Sequence, residues 1–199
     1  MMHLVALLAT GSLLYASTNV DDLLLLVAFL AHPDYSRAQV VLGQFAGMSA
    51  LLLVALLASG AATVLSPPRI GLLGLVPLGL GMWRLWRLHR PLPEEAWATR
   101  APVRRLAPML SVALATISDG GDNLAAYVPY FTVQSRWDVA ATIGLFLGLT
   151  AAWCLAAGLV LAHPAAGPRL RRSGRAALPW IMLGLGVVIL VRTGAIGLA

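Results

Sequence analysis

The chain has 199 residues, 59% of them hydrophobic and only 11% charged, a composition that excludes an ordinary soluble domain. A membrane-spanning helix takes roughly 20 apolar residues, so this length holds about six spans and leaves no room for a separate soluble domain. The 14 basic residues are all arginine and cluster in two connecting segments, which indicates topology and lipid contacts and argues against nucleic acid binding. The single cysteine, Cys154, excludes an internal disulfide.

Apolar stretches predict six transmembrane helices in a single domain over residues 1–199, and therefore an all-α membrane protein. The first stretch lacks the basic region of a signal peptide and ends at Pro33, because proline cannot continue a helix. The third ends at Trp83 and Trp86, which suit a membrane interface. The predicted spans cover residues 4–31, 40–65, about 70–88, about 107–131, about 139–162 and about 177–197, with one long polar loop at about 89–106.

The distribution of arginines predicts the orientation, because alternate loops of a six-span protein share a side of the membrane. The connections after the first, third and fifth spans, with the residues that border them, hold 11 arginines, against 3 on the opposite side. This excess predicts a cytoplasmic long loop and places both termini outside.

The two halves of the chain carry related motifs in the same order. Residues 17–22, Ser-Thr-Asn-Val-Asp-Asp, in the first span resemble residues 118–123, Ser-Asp-Gly-Gly-Asp-Asn, in the fourth. A proline followed by two glycines recurs in the third and sixth spans, at Pro77 and Pro179. Because each half has three spans, the second half must be inverted, a pattern typical of secondary transporters with a site at the membrane midplane. The predicted repeats cover about residues 1–88 and about 107–199.

Four aspartates lie deep inside the predicted spans: Asp21, Asp22, Asp119 and Asp122. On the insertion scale each costs about 2.5–3.5 kcal/mol at a helix centre, roughly 10 kcal/mol together, unless it faces protein, water or a cation. No lysine or arginine lies in the middle of any predicted span. A bound cation or bound protons must therefore balance the carboxylates, or protonated side chains join the helices by hydrogen bonds without any transport.

Residues three and four apart share a helix face, which groups oxygen-bearing side chains around both acidic pairs. Carboxylate, amide and hydroxyl oxygens suit hard or borderline divalent cations, and neighbouring carboxylates provide a way to exchange protons for metal. We expect no resident cofactor, since the metal is the transported substrate. The predicted binding residues are Asn19, Asp21, Asp22, Asp119, Asp122 and Asn123, with Thr18, Ser118 and Gln44 as secondary candidates and Gly120 and Gly121 as a hinge.

Two further stretches, Gly-Gln-Phe at residues 43–45 and Tyr-Val-Pro-Tyr-Phe at residues 127–131, complete a recognisable pattern. With them the chain resembles the bacterial cadmium resistance transporter family, within the lysine exporter superfamily, over nearly its whole length. The resemblance implies a six-helix protein of the bacterial inner membrane that exports a divalent metal. Cadmium favours sulfur ligands, whereas this sequence offers chiefly oxygen and one cysteine, so manganese and zinc remain alternative substrates. The site residues implied by the resemblance are Asn19, Asp21, Asp22, Asp122 and Asn123.

Two other functions fit part of the pattern. Export of amino acids or other small organic solutes would match the wider superfamily, yet it does not require four carboxylates without a basic counterpart. An intramembrane aspartyl protease needs two aspartates, but such proteases resemble Gly-x-Gly-Asp at the second one, and here Asp119 occupies the first position. We therefore expect a transporter and not an enzyme. Its expected partners are membrane lipid, the metal ion and protons. The sequence also allows a homo-oligomer.

Overall fold

The computed structural model describes residues 2–62, 75–87 and 107–163, and near the C-terminus residues 179–180, 183–184 and 186–191. Every regular element within these ranges is helical, which confirms the all-α class for this part of the chain. The helices are α1 (Met2–Thr18), α2 (Val20–Ala31), α3 (Arg37–Ala62), α4 (Leu75–Arg87), α5 (Pro108–Asp119), α6 (Gly121–Thr132) and α7 (Arg136–Ala162), and the described residues from 179 to 191 are also helical.

The first predicted span is broken at Asn19. Helices α1 and α2 meet there at a bend of 56°, and the Asn19 backbone adopts φ −109° and ψ 15°, in the sparsely populated bridge region. Ser, Thr and Asn side chains compete for backbone hydrogen bonds, as when Ser17 Oγ donates to the Leu14 carbonyl at 2.7 Å. One polar motif thus turns the continuous apolar span expected over residues 4–31 into two helices.

The fourth predicted span is also divided into two helices, α5 and α6, at Gly120. A Cβ atom on Gly120 would overlap the Leu51 side chain, so glycine permits the close approach of this junction to α3. The sequence match between the halves places Asn19 on Gly120, and both residues form the junction between two helices. The two acidic motifs therefore occupy equivalent positions, each across the junction between the two helices of a divided span.

The lengths of the described helices account for only part of the predicted topology. Helices α3 and α7 are each long and apolar enough to cross a membrane, and α1 with α2 adds a third span if the bent pair is counted as one. Helix α5 is a shorter apolar helix. The six-span count and the inverted repeat stay predictions, and the predicted loop at 89–106 lies outside the described residues.

Each broken span packs against the long helix of the other half. Helix α3 contacts α5 and α6, and α7 contacts α1 and α2. Two apolar clusters form at these contacts, one that includes Tyr15, Met48, Tyr127 and Phe146, and one that includes Leu23, Leu26, Val40, Val112 and Cys154. Along the helices, five of the buried polar residues lie between the two clusters: Asn19, Asp22, Gln44, Thr116 and Asn123. Apolar packing thus encloses a polar layer.

Close packing between α3 and α5 depends on two glycines. A Cβ atom on Gly43 would lie 2.6 Å from the Met109 carbonyl oxygen, and one on Gly47 would lie 2.7 Å from Thr116 Cβ. The alignment that matches Asn19 with Gly120 also matches Gly43 with Gly144 and Gly47 with Gly148. A Cβ atom on Gly144 or Gly148 would meet no described atom within 4 Å. Among the described residues, the first pair holds two helices together and the second pair does not, so the matched positions differ in their packing.

We predict that Gly47→Ala destabilises the protein whereas Gly148→Ala does not. The added methyl group in α3 collides with Thr116 and with the backbone of α5, and overpacking of this kind costs about 1–3 kcal/mol. Thermal unfolding of both purified variants in detergent would show a lower transition temperature for Gly47→Ala alone. Equal transition temperatures would contradict the assigned packing.

Candidate functional site

The side chain of Asn19 joins the first broken span to the second. Its Nδ2 donates to the Tyr15 carbonyl at 2.8 Å, to the Tyr127 hydroxyl at 2.9 Å and to Thr18 Oγ1 at 3.0 Å. These acceptors fix the amide so that Oδ1 faces α6, where it accepts a hydrogen bond from Asn123 Nδ2 at 3.2 Å. Two predicted site residues, one from each motif, are thus in direct contact.

Asp22 lies one helical turn after Asn19 and is 2% exposed. Gln44 Nε2, from α3, donates to its carboxylate Oδ2 at 3.3 Å. The orientation of the Gln44 amide is set from the other side, because its Oε1 accepts a hydrogen bond from Thr116 Oγ1 of α5 at 2.6 Å. The secondary candidate Gln44 therefore contacts Asp22, and a polar chain connects α2, α3 and α5.

The carbonyl oxygen of the Asn123 side chain is buried and has no hydrogen-bond partner among the described residues. A buried polar atom without a partner costs about 1–3 kcal/mol. Its own amide nitrogen is held by Asn19, so the oxygen points away from that contact. An oxygen of this kind fits a cation, which would take the place of the missing donor.

The remaining predicted residues lie around this buried group. Asp21, next to Asp22 in α2, is exposed, while Asp119 and Asp122 are half-buried on either side of the Gly120 junction. Ser118 is exposed, and its hydroxyl donates to the Leu114 carbonyl of its own helix at 2.7 Å. In the described ranges no three His, Cys, Asp or Glu side chains are grouped closely enough to hold a metal ion. A cation among these residues would need amide and hydroxyl oxygens beside one or two carboxylates.

The position of the aspartates on their helices reduces the cost of their charge. Asp21 and Asp22 lie in the first turn of α2, and Asp122 lies in the first turn of α6. The free N–H groups and the positive end of the helix dipole at such a position stabilise an anion by about 0.3–1 kcal/mol, and up to about 2 kcal/mol where it is partly buried. The two helix breaks thus create places inside an apolar protein where carboxylates are tolerated.

Several residues of the polar layer were not among the predicted site residues. The hydroxyl of Tyr127 contacts both Asn19 and Thr18, and Trp153 Nε1 of α7 donates to the Asn19 carbonyl at 2.7 Å. Tyr127 follows Asn123 by four residues, so helical periodicity already places the two on one face. Thr116 lies three residues before Asp119, so the same periodicity could have found it, whereas Trp153 carries no comparable signal in its apolar helix.

Cys154, the one thiol that the sequence offers to a metal, lies in an apolar environment. It is buried in the cluster that contains Leu23 and Leu26, one residue beyond Trp153. A cysteine surrounded by leucines behaves as a small hydrophobic residue. These contacts assign it a packing role, and its part in metal binding stays a hypothesis.

The fold and the site together define a class: a helical membrane protein with a buried oxygen-rich site where two broken helices meet. The chain belongs to the cadmium resistance transporter family, because the family model described as "Cadmium resistance transporter" matches residues 15–198. The match confirms the family that the sequence motifs indicated. Searches of curated proteins and of solved structures found no match.

Proposed function

We propose that the protein is a secondary transporter of the bacterial inner membrane that exports a divalent metal cation, cadmium or a similar ion, in exchange for protons. One arrangement carries the proposal. Buried Asp22 lies a helical turn from Asn19, and the neighbour of Asn19, Asn123, has a buried oxygen without a partner among the described residues. No lysine or arginine of the sequence lies in the middle of a predicted span, which favours a cation or a proton as the charge that accompanies the carboxylates.

The ligands in this proposal are the carboxylate of Asp22 and the side-chain oxygen of Asn123, with the half-buried Asp122 as the second negative charge. Metal ligands must be deprotonated, so cation binding releases protons and protonation releases the cation. A carboxylate that alternates between these two states couples the outward movement of metal to the inward movement of protons. Gln44 positions Asp22 for either state, since an amide nitrogen donates to an ionised or a protonated carboxyl group alike.

The proposed architecture is a pair of inverted repeats, the first at about 1–88 and the second at about 107–199. Two observations support it: the equivalent positions of Asn19 and Gly120 at the helix junctions, and the reciprocal packing of each broken span on the long helix of the other half. Discontinuous helices at the centre of inverted repeats bind ions in other secondary transporters. In this scheme Gly120 and Gly121 form the hinge at which α6 moves relative to α5.

A growth and transport experiment tests the function. Expression of the protein in a metal-sensitive bacterial host is expected to raise tolerance to cadmium, with zinc, manganese, cobalt and calcium tested in parallel to define the substrate. Inside-out vesicles from the same cells should accumulate the metal when their lumen is acidic, and a protonophore should abolish the accumulation. The variant Asp34→Asn, in an exposed turn after α2, is the matched control and should behave like the wild type.

The outcomes distinguish metal export from its coupling to proton movement. Absence of protection against every metal, at confirmed expression in the membrane, would contradict metal efflux. Accumulation that persists when the protonophore is present would leave metal transport intact and contradict proton antiport.

A further inference from the structure

Helices α1 and α6 meet along a line of hydroxyl pairs, which we term the seam and define as Thr10, Thr18, Tyr127 and Tyr130. Thr18 Oγ1 lies 3.2 Å from the Tyr127 hydroxyl, and Thr10 Oγ1 lies 3.1 Å from the Tyr130 hydroxyl. Thr10 Oγ1 also lies 2.7 Å from the Ala6 carbonyl, which can accept its proton. The seam therefore continues the polar contacts of Asn19 and Asn123 toward one end of both helices.

A cavity of about 560 Å³ lies at the outer end of the seam. Thr10 and Tyr130 belong both to the seam and to the cavity wall, so the seam forms the inner end of the cavity. Asp138 and His3 also line it, with the carboxylate Oδ2 3.7 Å from the imidazole Nε2. The described residues that line the cavity include the Asp138 carboxylate and no arginine, a lining that favours a cation.

The seam is closed between the cavity and the buried site. Asn19 and Tyr127 are fully buried, and Tyr130 is only 8% exposed. From Asn123 to its end at Thr132, α6 rises about 13 Å at 1.5 Å per residue. Half of the hydrocarbon thickness of a bilayer is roughly 15 Å. A site near the midplane would thus be separated from the membrane surface by little more than the seam.

We propose that this cavity is the exit vestibule of the transport path and that the seam is its gate. The proposal rests on the proposed function and adds the route by which the cation leaves the Asn123 oxygen. Parting α1 from α6 breaks the two hydroxyl pairs and leaves hydroxyl oxygens that a moving cation can contact in turn. The cation then enters a space whose charged wall, at Asp138, attracts it away from the site. The arginine distribution of the sequence predicts that this end faces the outside.

Thiol labelling in intact cells tests the vestibule directly, because the wild-type chain has one cysteine, Cys154, which is buried. The variant Thr10→Cys places a thiol in the cavity wall, and Leu155→Cys places one on the surface of α7 at a position that is 73% exposed. Charged methanethiosulfonates react with thiolates, which form in water and not in lipid. Reagent added outside should label Thr10→Cys at least about tenfold faster than Leu155→Cys or the wild type.

A second measurement tests whether the transported cation passes through the cavity. Ala6→Cys places a thiol in the cavity wall outside the seam. Labelling it with a bulky charged reagent should stop cadmium efflux, while the small methyl reagent should leave most of it. Arg136→Cys, exposed at the same end of the protein and absent from the cavity wall, should be labelled with no loss of efflux.

Each result bears on a separate claim. Reaction of Thr10→Cys only from the cytoplasmic side, or unchanged efflux after bulky labelling, would overturn the exit route while the export function stands. Absence of efflux in the unlabelled wild type would refute the proposed function, and labelling would still report whether water reaches the cavity from outside.

Discussion

Replacing Asp22 by asparagine is expected to abolish metal export while leaving the protein folded. The amide keeps the size of the carboxylate and can still accept the hydrogen bond from Gln44 Nε2. It lacks the negative charge that a divalent cation requires and the proton-binding state that couples transport to the proton gradient. Loss of an outer-sphere partner costs metal sites about 10–100-fold in affinity or activity, so loss of this ligand should lower the efflux rate by at least about 100-fold.

The measurement is metal uptake into inside-out vesicles, with the amount of membrane-inserted protein determined for each variant. Asp34→Asn makes the same chemical change in an exposed turn and should retain the wild-type rate. Wild-type transport by Asp22→Asn would remove Asp22 from the site. A variant that fails to reach the membrane is distinguished by its protein level, and purified protein can then be compared for cadmium binding.

Replacing Asn123 by leucine is expected to weaken metal binding with little change in stability. The substitution removes the unpartnered buried oxygen, which relieves about 1–3 kcal/mol, and leaves Asn19 Oδ1 without its donor, which costs about as much. If the Asn123 oxygen contacts the cation, the KM for metal should rise at least about tenfold, equivalent to about 1.4 kcal/mol. Transport kinetics in vesicles and thermal unfolding in detergent measure the two effects separately.

The matched control is Thr150→Val, which also deletes one buried interhelical hydrogen bond, the 3.0 Å contact with the Tyr15 hydroxyl. This variant should lose stability and keep its KM, the reverse of the pattern expected for Asn123→Leu. An unchanged KM in Asn123→Leu would show that the buried oxygen is not a metal ligand.

The positions of the helix breaks could be predicted in part. The Ser-Thr-Asn run at residues 17–19 and the glycine pair at residues 120–121 both disfavour a continuous helix, and the sequence match set the two motifs in register. The 56° bend at Asn19 could not be predicted, because it depends on how α1 and α2 both pack against α7. Local propensity indicates where a helix is weak, and tertiary contacts determine the direction in which it turns.

The site could also be predicted only in part. Asn19, Asp22 and Asn123 were identified because polar groups in an apolar span are costly and rarely incidental. Helical periodicity placed Asp22 with Asn19, but it could not show that Gln44 from α3 donates to that carboxylate. Contacts between residues far apart in the sequence require the relative positions of the helices, which no single helix encodes.

By itself, the sequence determined that this is a helical membrane protein of the cadmium resistance transporter family with two matched acidic motifs, since the lengths of the apolar stretches and the positions of the aspartates within them are properties of the chain. Only the tertiary structure decided that, of the four aspartates, Asp22 is the one buried in the polar layer and that Asp21 faces outward. The physical reason is the packing of α3: the close approach at Gly43 and Gly47 brings Thr116 to Gln44 and Gln44 to Asp22. Whether a side chain is buried depends on which helix packs against it, and that depends on the tertiary structure.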